Sequence, residues 1–295
     1  MEHPLTANPI RRWAPAVLIL AGAAALSAAA PSTAGARRVV CLAPAFTEIC
    51  FALGKGDRVV GVTDFCDYPA EATERTRVGG FLNPRRETIV GLRPDLVLAV
   101  PEESELAEQL RQLGIRSEIL PLYRLADIDR AIRAVAGLLG DPAAGDRLAV
   151  SLAADLAGLR VSAKAVRPPT VLLVVGRNWG ELANIYVAAP GTFLGELLEA
   201  AGGRNAYTGS IRYPSLSLEG ISRMNPDVIL ELYPGQNLGD EQKAALRRDW
   251  DRLPGLAAVH KGRIVILDDS YLAIPGPRVA QSVRKIRQCL QPGAE

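Results

Sequence analysis

The segment FLNPRRETIVGLRPDLVLAV, residues 81–100, returns as YPSLSLEGISRMNPDVILEL, residues 213–232, without a gap and at a constant offset of 132 positions. Phe81 meets Tyr213, Glu87 meets Glu219, Ile89 meets Ile221, and Pro94-Asp95 meets Pro226-Asp227. Five of the twenty columns are identical and five more exchange one apolar or aromatic residue for another, so the offset is worth testing elsewhere. It holds: VVCLAP (39–44) falls on VLLVVG (171–176), two apolar strand-like runs that each end in a turn former. Two separated matches at one offset indicate a duplicated α/β lobe.

The bulk composition suits that reading. A chain of 295 residues, 48% hydrophobic and 22% charged, is ordinary for a globular protein and long enough for two lobes of modest size. Residues 1–36 stand apart: Arg11 and Arg12 precede APAVLILAGAAALSAAA, and the run closes on Ala34-Gly35-Ala36. A basic start, an apolar middle and a small-residue end predict a cleaved secretory signal. Seventeen Ala-dominated residues are short and weakly apolar for crossing about 30 Å of hydrocarbon. The remainder carries 32 basic and 31 acidic side chains, a balance that argues against a nucleic-acid-binding surface. The expected product is a periplasmic protein, exported with its signal removed, and a monomer. Cys41, Cys50, Cys66 and Cys289 would then meet an oxidising compartment, where four cysteines allow three complete pairings. Cys41 in an apolar strand and Cys50 in an apolar helix read as buried thiols; Cys66 lies in the loop TDFCDYP among aromatic and acidic neighbours.

After the signal, strands and helices alternate through residues 37–140, which predicts an N-terminal α/β lobe. DLVLAV lacks polar alternation, as a strand covered on both faces should. In the short helix after Phe81, Asn83 is placed to cap and Pro84 to take the first helical position, with Ser215 as the second copy's cap. Residues 141–167 predict one long helix, begun by Asp141-Pro142 and carrying an apolar stripe at Leu148, Leu152, Leu156 and Leu159. About 25 helical residues span roughly 37 Å, the length of a rigid connector between lobes. Residues 168–295 form the second α/β lobe.

The chemistry on offer is limited. Of two histidines, His3 leaves with the signal and His260 sits beside Lys261 on a surface turn, so no His-based metal centre and no catalytic triad can be assembled. Neither a phosphate-cradling Walker sequence nor a dinucleotide-binding glycine motif is present. No catalytic residue, metal site or resident cofactor is therefore nominated, and the chain is not expected to be an enzyme. Aromatics are 5% of the chain, yet Phe65, Tyr68, Phe81, Trp179, Tyr213 and Tyr271 fall in predicted loops. Loops beyond the carboxyl ends of α/β strands line ligand crevices, and flat rings there suit a large, partly apolar ligand. Glu87 and Glu219 lie near the starts of short helices, where a carboxylate favours the dipole. Duplicated on two lobes, they would also suit a two-fold symmetric partner bearing two arginine sites.

At this point the residues suggest a family. The stretches VVCLAPAFTEICFALGKGDRVVGVTDFCDYPAEA and VGGFLNPRRETIVGLRPDLVLA, continued by GTFLGELLEAAGGRN, YPSLSLEGISRMNPDVIL and PGPRVAQSV, resemble the helical-backbone (class III) periplasmic substrate-binding proteins. Those proteins serve ABC importers of vitamin B12, iron-siderophores and haem, and the resemblance covers nearly all of the chain after the signal. It implies two α/β lobes joined by a single long helix, with ligand in the cleft between them. It implies that Glu87 and Glu219 meet arginines on the two subunits of a permease dimer at the inner membrane. It is closest to the vitamin B12 or corrinoid type, which points to Phe65, Phe81 and Tyr213 as ligand-binding, with Trp179 and Tyr271 beside them. A haem or ferric siderophore cargo is the alternative within the class, with Arg177, Arg204 or Arg212 as the cations it would want. A bilobal chelatase or cofactor-processing enzyme is the alternative outside it.

Overall fold

The computed structural model describes residues 35–81, 83–159 and 167–291. The expected signal therefore lies outside the described residues except for its last two positions. Among the described residues no helix is long and apolar enough to cross a membrane.

The first half builds strands β1 (Val39–Cys41), β2 (Val59–Val62), β3 (Thr76–Arg77), β4 (Leu96–Ala99) and β5 (Ser117–Ile119). They form one parallel sheet in the order β3-β2-β1-β4-β5. Helices α1 (Pro44–Ala52), α2 (Arg86–Gly91), α3 (Ser104–Gln112) and α4 (Leu125–Leu138) connect and cover it. The second half builds β6 (Thr170–Gly176), β7 (Ile185–Val187), β8 (Arg204–Asn205), β9 (Ser215–Leu216), β10 (Val228–Leu232) and β11 (Ile264–Leu267). These make a mixed sheet, β11-β10-β6-β7-β9, with β8 beside the start of β6. Its helices are α6 (Phe193–Ala200), α7 (Leu218–Met224), α8 (Asp240–Asp249), α9 (Ala257–His260) and α10 (Val279–Leu290). Between the lobes runs α5 (Pro142–Leu159). Eighteen residues make it about 27 Å long; the predicted continuation through 160–166 lies outside the described residues.

The 132-residue echo is carried through in three dimensions. Val39 pairs with Leu96 in the first lobe and Val171 with Val228 in the second, each residue displaced by the same offset. Asp95 accepts the backbone N–H of Arg38, and Asp227 accepts that of Thr170, its counterpart. Each aspartate thereby ties the start of one strand to its neighbour. Asp227 also accepts the Thr170 hydroxyl, and these two bonds, helped by Lys261, hold its carboxyl at about 2. Arg93 and Asn225, again 132 apart, both take a left-handed backbone, with φ of +48° and +42°, to turn the helix end into the strand.

The caps differ from expectation. Helix α2 begins after Arg85, which offers no side-chain cap, and α7 is capped by Ser217, whose hydroxyl accepts the Gly220 N–H. Asn83 and Ser215 sit two positions too early, because the chain stays extended through Pro84 and through β9 before it turns. Within α1, which starts at Pro44, the Thr47 hydroxyl donates to the Cys66 sulfur at 3.2 Å. Cys66 is itself buried, so it is no exposed loop thiol. Cys41 and Cys50 are buried as expected, and all four cysteines are free.

Within the apolar runs of β1, β4, β6 and β10 the side chains still alternate between two cores. Cys41, Leu96, Leu98, Val171, Leu173, Val228 and Leu230 face one cluster that runs through both lobes and takes in α1, α4, α6 and α10. Val40 and Val97 face a second cluster in the first lobe, and Leu172 and Ile229 a third in the second lobe. On α5, Leu152 is buried and Leu148, Leu156 and Leu159 pack against the shared cluster, as the stripe predicted. Gly145 lets α5 approach α4: a Cβ there would lie 2.4 Å from that of Ala136.

Candidate functional site

Between the lobes lies a cleft of about 710 Å³. Its first wall comes from loops that follow strands of the parallel sheet. Ala43, Pro44 and Ala45 follow β1, while Val100 and Glu102 follow β4, the neighbour of β1 at which the strand order reverses. That is where an open parallel sheet parts its loops and leaves a crevice. Phe65 and Asp67 follow β2, Phe81 follows β3, and Leu122 and Tyr123 follow β5. The opposite wall is Pro234, Gly235 and Gln236 after β10, and Ser270, Ala273, Ile274 and Pro275 after β11. The ionisable lining groups are Asp67, Glu102 and Tyr123; among the described residues no lysine, arginine or histidine lines the cleft.

Of the five predicted ligand residues, Phe65 and Phe81 line the cleft, and Phe65 is 59% exposed, an apolar ring open to contact. Trp179, Tyr213 and Tyr271 do not line it. Trp179 stands edge-on to Tyr233 at 5.8 Å, next to the wall residue Pro234. Tyr213 is exposed beside Arg212. Tyr271 flanks the Arg278 guanidinium at 5.5 Å, with Tyr68 at 4.0 Å.

That guanidinium is the contact that sequence reading missed. Arg278, at the N-cap of α10, makes a paired bond with Glu48 on α1, Nε to Oε2 at 3.1 Å and Nη2 to Oε1 at 2.5 Å. Glu48 is buried, and its burial pushes the carboxyl up while Arg278 pulls it down. The pair joins the two lobes across 230 positions. A second join lies at the start of α4. There Glu196, on α6, accepts from Arg124 at 2.7 Å and from the backbone N–H of Leu125 at 2.8 Å. Beside it, the Arg212 guanidinium covers the Tyr123 ring at 4.5 Å.

The other arginines do different work. The Arg177 side chain is fully buried, bound to Glu231 at 2.9 Å and Asp249 at 2.8 Å. Glu231 also accepts from Trp250 and from the Tyr233 hydroxyl. This network fixes β10 and the start of the cleft loop that follows it, and holds the Arg177 guanidinium in the interior, outside the cleft lining. Arg204 belongs to β8 and to a separate basic hollow with Lys261 and Arg263, at the opposite ends of the strands.

Glu103, next to lining Glu102, is buried; it holds the Val100 N–H with one oxygen and leaves the other without a partner. Burial lifts its carboxyl to about 8. A carboxyl neutral in the fold and ionised in the unfolded chain makes stability fall as pH rises from about 4.5 toward 8. Relative to Glu103→Gln, the native protein should therefore lose at least about 1 kcal/mol between pH 5 and pH 8. Urea unfolding of both proteins at the two pH values measures this, and parallel behaviour would refute it.

Glu87 and Glu219 occupy the same place, the second residue of α2 and of α7, and both are exposed. Its own backbone N–H, with Arg86 beside it at 3.3 Å, holds the Glu87 carboxyl below its ordinary range. His260 is exposed at the end of α9, as expected.

Comparison with known proteins adds the following. Residues 39–271 match the family described as periplasmic binding protein. A Bacillus subtilis (strain 168) protein, YvrC, named as an uncharacterized ABC transporter substrate-binding lipoprotein, is 28% identical over 87% of this chain and 80% of its own length. The structure of the periplasmic vitamin B12-binding protein BtuF of Vibrio cholerae is 29% identical, with a TM-score of 0.73 over 86% of this chain and 96% of that one. The structure of the periplasmic heme-binding protein RhuT from Roseiflexus sp. RS-1 is 32% identical, with a TM-score of 0.73 over 87% of this chain and all of that one.

Proposed function

Since this chain belongs to the periplasmic binding protein family and is a substrate-binding protein of the ABC-transporter type, we propose that its cargo is cobalamin or a close corrinoid. The observation that carries the reading is the charge of the cleft. Its walls are mainly apolar, two phenylalanines supply flat faces, and among the described residues the only charged lining side chains are the carboxylates Asp67 and Glu102. A corrin fringed with neutral amides accepts hydrogen bonds from and donates them to such walls, whereas the two carboxylates of haem would meet like charge with no lining cation. The protein is exported, delivers the chelate whole, and performs no chemistry on it. Glu87 and Glu219 are its docking points for the two subunits of an ABC permease: two exposed carboxylates, one per lobe, at equivalent positions.

The test is titration of the purified protein with cyanocobalamin and with haem, followed by tryptophan fluorescence or calorimetry. Cyanocobalamin should bind at micromolar concentration or better, and haem at least tenfold more weakly. Haem binding without cyanocobalamin binding would replace the cargo with a tetrapyrrole of the kind that RhuT is named for.

A further inference from the structure

Tyr123, Arg124 and Leu125 are consecutive, and the opposite lobe grips all three: Arg212 stacks on the Tyr123 ring, and Glu196 takes the Arg124 side chain and the Leu125 N–H. Tyr123 is also part of the cleft wall. A second polar interlobe contact, Glu48 with Arg278, is buried and doubly bonded, whereas Arg212 and Arg124 are exposed. The two contacts thus differ in strength: a buried charge pair is costly to break, while an exposed cation–π contact or ion pair contributes about 1 kcal/mol or less. If the lobes part anywhere, they part at the exposed contact first.

We infer that Arg212 and Tyr123 form a gate at one end of the cleft and set the rate at which cargo enters and leaves, with the Glu48–Arg278 pair as the fixed side. Arg212 is a positioning residue here, acting on Tyr123 rather than on cargo. It lies seven positions before Glu219, on the segment that leads through β9 into α7. The inference rests on the cleft being the cargo site.

Two readouts test it on Arg212→Ala, Arg212→Lys and, as a control distant from the cleft, Arg204→Ala. In ligand-free protein the Leu125 amide should exchange its hydrogen two- to fivefold faster in Arg212→Ala, because its acceptor lies on the other lobe. In stopped-flow mixing with cyanocobalamin, Arg212→Ala should raise the association and dissociation rates together by about two- to fivefold, leaving Kd within about twofold. Arg212→Lys should recover most of both effects, and Arg204→Ala should show neither. Unchanged exchange or unchanged rates would overturn the gate. A faster dissociation alone, with weakened Kd, would also overturn it by making Arg212 a ligand contact. If cyanocobalamin and haem both fail to bind, the cargo reading falls, and amide exchange still decides whether this end of the cleft opens.

Discussion

Replacing Glu48 with alanine is expected to remove about 3–5 kcal/mol of unfolding free energy, a large share of the total for a protein of this kind. The substitution leaves the Arg278 guanidinium, only 16% exposed and wedged between Tyr68 and Tyr271, without its carboxylate. The cost is mainly that of an uncompensated buried charge, not of the pair's own attraction. The companion variant Glu48→Leu with Arg278→Met removes both charges, and should therefore recover most of the loss. Urea unfolding of the three proteins measures both effects. A loss below about 1 kcal/mol for Glu48→Ala would mean that water reaches the pair and that the lobes are not joined there.

The second large effect is on delivery. Glu87→Arg combined with Glu219→Arg should lower permease-dependent uptake by at least about a hundredfold while leaving cargo affinity within twofold. Each reversal sets a cation where a permease cation is expected, and like charges brought together at an interface cost several kcal/mol. Both residues are exposed at helix starts and neither lines the cleft, so the fold and the cargo site should survive. Uptake by the doubly reversed protein, in vesicles carrying the permease, is the deciding measurement. Retained transport, or a collapse of affinity instead, would remove the two glutamates from the docking role.

Much of the architecture was legible because it is written in short-range pattern. The repeat announced two lobes, the leucine stripe announced α5, and Pro-Asp marked the turn into β4 and β10, where each aspartate ties two strands together. The site was legible only in part. Phe65 and Phe81 line the cleft, but Trp179, Tyr213 and Tyr271 show that placing an aromatic in a loop does not say which way the ring turns. Arg177 offers the same lesson in reverse: it follows a strand, as a ligand residue would, yet its partners Glu231 and Asp249 lie 54 and 72 positions away and take it into the interior. Glu48 and Arg278 carry no local signature at all, because neither position looks unusual until the fold brings them together. The strand β7 carries no sequence signal of its own, because three residues give too short a run for alternation to register.

The apolar cluster that threads both sheets and α5 has a consequence for how the molecule melts. Each lobe keeps a cluster of its own on the other face of its sheet, but the inner faces of both sheets pack into one shared interior, so the unfolding of either lobe strips the other of part of its core. The chain should show one calorimetric transition whose measured and van't Hoff enthalpies agree, and two resolved peaks would contradict it. A protein that is double in outline would then be single in its cooperativity, and neither half, expressed alone, would hold the fold it has here.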